Sequence, residues 1–226
     1  MPADAELIAA VRAGLHELAD PARAPGMAAY MKSTMPCLGV RLPQVRGIVR
    51  AAARERPPRT TAELRDTVLK LWREAAYREE RYAATALLNA PGVRRLREPD
   101  LITLYQELIV TGAWWDHVDE VSGRVGELLL EFPAQIRPVV AGWQRSTDRW
   151  LRRTSIICQR SARDRTDLAL LTGAIEANAD DRDFFLRKAI GWALRSYAYT
   201  DPEWVRAFVS GHKLSPLSVR EATKHL

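Results

Sequence analysis

From end to end the chain reads as one helix after another, with no convincing strand between them. The stretch "DAELIAAVRAGLHELA" repeats apolar residues at helical spacing, and "DPARAPG" after it supplies an N-cap, prolines and a stop. "LPQVRGIVRAAARE" opens on a proline in its first turn and runs out before "RPPRT". "TAELRDTVLKLWREAA" opens on a Thr-x-x-Leu variant of a cap at Thr61 and sets Leu64, Val68, Leu71 and Trp72 on one face. The pattern continues to the C-terminal "SPLSVREATKHL", giving about a dozen helices of roughly 10–18 residues, joined by short turns rich in Asp, Pro, Gly and Ser. Helices pairing at a period of roughly 35–45 residues predict an all-α fold, an α-solenoid of the HEAT type with a concave binding surface. A globular helical bundle answers to the same pattern. No linker or low-complexity stretch interrupts the chain, so a single domain over residues 1–226 is expected.

A fold of this kind needs a partner, and the charge narrows the choice. The net charge is +6 and the pI about 9.6, which favours an anionic partner, nucleic acid foremost. An arginine-rich proteome would give the same balance. No apolar run reaches the roughly 18 residues of a membrane-spanning helix, and the acidic N-terminal stretch lacks the form of a signal peptide. Cys37 and Cys158 lie far apart and near no histidine pair, which argues against a disulfide framework or zinc site and for a reducing cytoplasm. His16, His117, His212 and His225 are scattered, and no Gly-rich phosphate loop or nucleophile motif is present.

Four stretches carry side chains that chemistry can use. In "WWDHVDEV", Trp115 and Asp119 stand four residues apart, one turn above each other on a helix, with Asp116 nearby. An indole beneath a carboxylate shields it from water without neutralising it; a buried tryptophan beside an N-capping or salt-bridged aspartate has the same spacing. In "DRWLRRTSIICQRS", Leu151, Ser155, Ile156 and Cys158 form a packable face, and neighbours project about 100° apart. Only one of Arg152 and Arg153 can therefore serve a given partner, as a bidentate clamp on a carboxylate or phosphate, unless both are simply solvated. In "FFLRKAIGWALRSYAYTDPEWV", Gly191 sits mid-helix, where glycine costs about 1 kcal/mol against alanine, so close approach of a neighbour is expected. Trp192 and Arg195 follow on one side, an arrangement that suits a sugar or base edge next to a phosphate, or a core tryptophan beside a surface arginine. In "YMKSTMPCLGVRLPQVRGIVR", a Pro- and Gly-bearing turn is ringed by Lys32, Arg41, Arg46 and Arg50, and the backbone amides at the start of the "LPQVRG" helix, together with these side chains, are candidate phosphate donors.

Taken together and in order, "YMK…MPCLGVRLPQVR", "LWREAAYREERYAA", "WWDHVDEV", "WLRRTSIICQ", "FFLRKAIGWALRSYAYTDPEWV" and "LSPLSVREATKHL" resemble the DNA alkylation-repair family of HEAT-like-repeat DNA glycosylases over nearly the whole chain. The resemblance implies an α-solenoid of about six helical repeats cradling duplex DNA in a basic concave groove. It implies a monomeric, monofunctional enzyme, needing neither metal nor cofactor, that removes cationic N3- and N7-alkylated purines such as 3-methyladenine and 7-methylguanine. By the same resemblance Asp119 is the catalytic aspartate, Trp115 and Trp192 flank the lesion nucleotide, and Arg153 lies beside them. Tyr30, Arg41, Arg46 and Arg195 fall at positions near the DNA backbone or minor groove. Cys37 departs from the family, which often has an aromatic after that proline. Relatives of such solenoids also bind distorted or branched DNA without cleaving it, and HEAT arrays serve as protein scaffolds, so two non-catalytic readings stay open.

Overall fold

The computed structural model describes residues 2–226 and is all-helical: thirteen α-helices, two short 3-10 turns and no strand among the described residues. This agrees with the helical succession expected from sequence and with an α-solenoid type of fold. The residues fall into two compact units, Met1–Leu104 and Tyr105–Leu226. No helix among the described residues is long and apolar enough to cross a membrane.

The first unit holds α1 (Ala5–Glu17), α2 (Ala24–Met31), α3 (Leu42–Glu55), α4 (Thr61–Arg73) and α5 (Arg78–Leu87). Leu7, Val11 and Leu15 of α1, Val45 and Val49 of α3, and Leu64, Val68, Leu71 and Trp72 of α4 are buried, the 3.6-residue stripe that drives each helix onto its neighbours. Asp4 caps α1, accepting from the Glu6 and Leu7 amides at 3.1 and 2.9 Å. The cap of α4 is Thr60 rather than Thr61: its hydroxyl accepts from Glu63 N at 3.1 Å, while Thr61 turns inward to donate to the Leu96 carbonyl. The two threonines are chemically equal as caps, and the burial of Thr61 decides between them.

The second unit begins within α6 (Leu101–Gly112) and continues through α7 (Trp115–Glu131), α8 (Pro133–Trp143), α9 (Arg149–Ile157), α10 (Leu168–Glu176), α11 (Phe184–Ala198), α12 (Pro202–Gly211) and α13 (Pro216–Ala222). Each of these from α7 on packs on helices one or two places away in the chain, the local pattern of stacked helix pairs. Aspartates at 148, 167, 183 and 201 cap α9 to α12, each accepting backbone amides of the first turn. Two contacts are closer than any side chain allows. A Cβ on Gly126 of α7 would stand 2.0 Å from the Cys158 carbonyl oxygen at the end of α9, and one on Gly191 of α11 would stand 2.4 Å from Glu221 Cβ of α13. The expected close approach at Gly191 is thus made by α13.

Candidate functional site

Helices α7, α9, α11 and α13 of the second unit supply the candidate site. Trp114 is the N-cap residue of α7 and Trp115 its first residue, so the two indoles diverge. The Trp114 ring packs among Trp150 and Phe185, with centroids 6.3 and 5.5 Å away, and acts as an aromatic buttress. Trp115 instead lines an open cleft of about 320 Å³ together with Arg153, Phe184, Phe185, Trp192 and Arg195. One turn along α7 from Trp115, Asp119 meets Arg153 of α9. Arg153 Nε donates to Oδ1 at 2.8 Å and Nη2 to Oδ2 at 2.9 Å, a bidentate fork-to-fork pair. Arg153 Nη1 donates to the Phe185 carbonyl at 2.6 Å, which ties the guanidinium to α11 as well.

Arg153 is therefore spent on a carboxylate and a carbonyl, with its side chain 5% exposed, and has no edge left for a phosphate. Its neighbour Arg152 points elsewhere and pairs with Asp181 at 2.6 Å, as the 100° step between adjacent residues requires. Asp119 is held by the Arg153 fork, and its side chain keeps 16% exposure. Each of its oxygens retains a lone pair beyond the one Arg153 occupies.

Trp192 and Arg195 both reach the same cleft from α11. Two guanidiniums flank the Trp192 indole: the carbon of Arg160 stands 3.4 Å from the ring centroid and that of Arg153 5.9 Å. Burial pushes the Arg160 guanidinium below the ordinary arginine range; Asp119 opposes this, and Arg153 and Arg195 add to it. Glu221 of α13 lines the cleft too and gathers Lys188 at 3.0 Å, Arg195 at 3.3 Å and Lys224 at 2.8 Å. Its hydrogen bond from Lys224 outweighs burial, and with Lys188 holds the carboxyl at about 2.

In the first unit, Tyr30 on α2 is 72% exposed, and Arg41 and Arg46 are exposed at the N-cap and first turns of α3. The amides of the preceding turn are not free to bind phosphate. Leu38, Gly39 and Val40 donate at 2.9, 2.8 and 3.2 Å to the carboxylate of fully buried Glu79, and Arg41 N donates to Gln44 at 3.0 Å. The chain supplies its own anion there. Cys37 is half-buried; buried Cys158 has its thiol pushed up to about 12 by burial and is not an activated nucleophile.

Of the residues expected from sequence, Trp115, Asp119, Arg153, Trp192 and Arg195 come together in the second unit; Tyr30, Arg41 and Arg46 lie in the first. Sequence reasoning overlooked Arg160, Glu221, Phe184 and Phe185. Arg160 stands seven residues after Arg153, two turns on along the same face, but α9 ends at Ile157 and the periodicity could not be carried across. Glu221 carries no local signal.

The site thus joins a carboxylate–guanidinium pair, a cleft lined by two indoles and several cations on stacked helices. The sequence profile of the DNA alkylation repair enzymes matches residues 11–226, and the chain belongs to that family. Among solved structures it is similar to a predicted DNA alkylation repair enzyme from Enterococcus faecalis, at 27% identity and a TM-score of 0.83 over 92% of this chain and 96% of that one. The fold also matches smu.31 from Streptococcus mutans UA159, at 14% identity and a TM-score of 0.61 over 82% of this chain and 97% of that one. No match is found among curated proteins. Family membership supports a role in DNA repair.

Proposed function

We propose that the protein is a DNA glycosylase that hydrolyses the N-glycosidic bond of cationic N3- and N7-alkylated purines in duplex DNA, held in a basic groove built of about six helical repeats. The observation that carries the reading is the Asp119–Arg153 pair at a cleft lined by Trp115, Arg153 and Trp192. An alkylated purine already bears positive charge, so when its C1′–N bond breaks, the bonding electrons leave with the base and neutralise it. No general acid is required. The cost lies in the sugar, which becomes cationic at C1′ and must be met by water. Asp119 supplies a fixed negative charge for that cation, and its remaining lone pairs orient the water and take up the proton it loses. Trp115 and Trp192, which line the cleft, offer π-density to the same developing charge. Arg153 fixes the carboxylate's rotamer, and Arg195 sits beside the cleft as a phosphate donor.

A duplex methylated to carry 7-methylguanine tests the proposal, with released base and alkali-labile abasic sites as readouts. Asp119→Asn keeps the shape and is expected to lose about 10²-fold or more in rate while still binding the duplex. Unchanged release by that variant removes Asp119 from the mechanism. The engagement of both carboxylate oxygens by Arg153 also favours a second reading, in which the pair is structural and the protein binds damaged DNA without cleaving it. Wild-type protein that binds the methylated duplex and releases no base decides for that reading.

A further inference from the structure

Among the described residues, Arg160 stands beside the site with no carboxylate in ion-pair contact, although the charge of Asp119 reaches it. Arg149, Arg152, Arg153 and Arg195 are each paired with a carboxylate, whereas none lies within ion-pair distance of Arg160. Its Nε is buried without a hydrogen-bond partner, and its guanidinium lies flat on Trp192 with the edges unused. A partly buried cation left in this state is held at a cost that a bound anion would relieve.

The surroundings say where that anion comes from. Arg160 lines a second, open cleft of about 610 Å³ with Ser161, Arg163, Ser196, Tyr199 and Thr200, and no carboxylate is in that lining. Ser196 already donates to the Trp192 carbonyl at 2.9 Å, which leaves Arg160, Arg163, Ser161 and Thr200 as donors. Arg163 has no carboxylate partner, is exposed, and sits at a φ of +54°, a left-handed conformation seldom adopted by such a residue. Tyr199 is 74% exposed at the edge of this cleft, an aromatic face beside guanidiniums, which suits a nucleic-acid strand better than a free anion. Trp192 lines the first cleft and Arg160 the second, so their stack is the shared wall.

We propose that Arg160, Arg163, Ser161 and Thr200 form a separate phosphate subsite, which takes a backbone phosphodiester of the same duplex and seats Arg160 against Trp192. The inference rests on the proposed DNA reading and deepens it. Phosphate chemistry alone would also admit free inorganic phosphate, and the test separates the two. Anisotropy of an undamaged labelled duplex is measured from 50 to 200 mM NaCl for wild type, Arg160→Gln and Arg163→Gln. Each lost phosphate contact flattens the dependence of log K on log salt by about 0.9, so each variant loses about threefold less affinity across that range than wild type. The loss in affinity is the same on two unrelated sequences. Inorganic phosphate at constant ionic strength displaces the duplex equally from wild type and variants.

Wild-type slopes in both variants overturn the subsite, and phosphate binding confined to wild type alongside such slopes assigns these residues to a free anion instead. Arg163 is exposed, so its variant carries the test even where Arg160→Gln fails to fold. The same proteins are assayed for 7-methylguanine release. Unchanged slopes with normal wild-type release refute the subsite alone, whereas binding without release by wild type refutes the glycosylase reading and leaves the slopes to judge the subsite.

Discussion

Gly126 is where the geometry of the site is most exposed to a single methyl group. In Gly126→Ala the new Cβ would stand 2.0 Å from the Cys158 carbonyl oxygen and 3.0 Å from its carbon, both backbone atoms that no rotamer change can move. Reaching even 3.0 Å from that oxygen requires α7 and α9 to part by about 1 Å, an overpacking cost of roughly 1–3 kcal/mol. The gain in helix propensity from glycine to alanine offsets about 1 kcal/mol of it. Asp119 rides on α7 and Arg153 on α9, and their hydrogen bonds of 2.8 and 2.9 Å do not survive a displacement of that size, since bonds beyond about 3.5 Å are lost. Misplacement by about 1 Å costs on the order of 10²-fold in rate. The control is Gly123→Ala on the same helix, where a Cβ meets nothing within 4 Å and only the propensity gain remains. Circular-dichroism melts should show Gly123→Ala raised by about 2–4 °C and Gly126→Ala lowered by up to about 8 °C, at 2–4 °C per kcal/mol for a chain of this size. Single-turnover base release below both midpoints should be unchanged in the first and reduced about 10²-fold in the second. Equal melting temperatures for the two variants would refute the packing argument outright, whatever the enzyme does.

Other expectations concern charge. Arg153→Met leaves the Asp119 carboxylate, at 16% side-chain exposure, without its counter-ion, a loss of about 2–3 kcal/mol once its partial solvation is allowed for. The double variant Arg153→Met/Asp119→Asn should be more stable than Arg153→Met alone, as urea denaturation would show; a double variant weaker than the single contradicts the pairing. Glu221 has a folded-state pKa of about 2, below the 4.5 of the free side chain, so its stabilising contribution is complete above pH 4.5 and drains away as pH falls towards 2. The difference in melting temperature between wild type and Glu221→Gln should therefore be constant above pH 4.5 and shrink steadily below it. A difference that grows on acidification contradicts the assignment.

Local spacing carried the helices and part of the site. The four-residue step from Trp115 to Asp119, the divergence of Arg152 from Arg153 and the mid-helix Gly191 are all consequences of 3.6 residues per turn, and each appears in the structure as expected. What spacing cannot carry is identity of partners across distance. Glu79 reaches back some forty residues to take the amides of the 38–40 turn, and Glu221 lies thirty residues from the Gly191 against which it packs. Arg160 was hidden for a different reason. It follows the last turn of α9, where the helical phase no longer predicts direction, and only the coordinates reveal that it returns to cover Trp192. Trp114 and Trp115 were likewise indistinguishable until the helix start fell between them.

The pairing of Asp119 with Arg153 bears on how the proposed chemistry is timed. A carboxylate locked to a guanidinium projects little net field, and Arg160, Arg195, Lys188 and Lys224 make the neighbourhood cationic, which is hostile to a sugar turning positive. On the proposed mechanism bound DNA would alter that balance, because each phosphate taken by Arg195 or Arg160 would cancel a nearby positive charge. The cationic excess would then be neutralised by the duplex itself, and the negative charge on Asp119 would be felt at the sugar. On the proposed mechanism the substrate backbone thus completes the electrostatics of the site. Free nucleosides with the same alkylated base, lacking those phosphates, should be cleaved poorly even when the base fits the cleft.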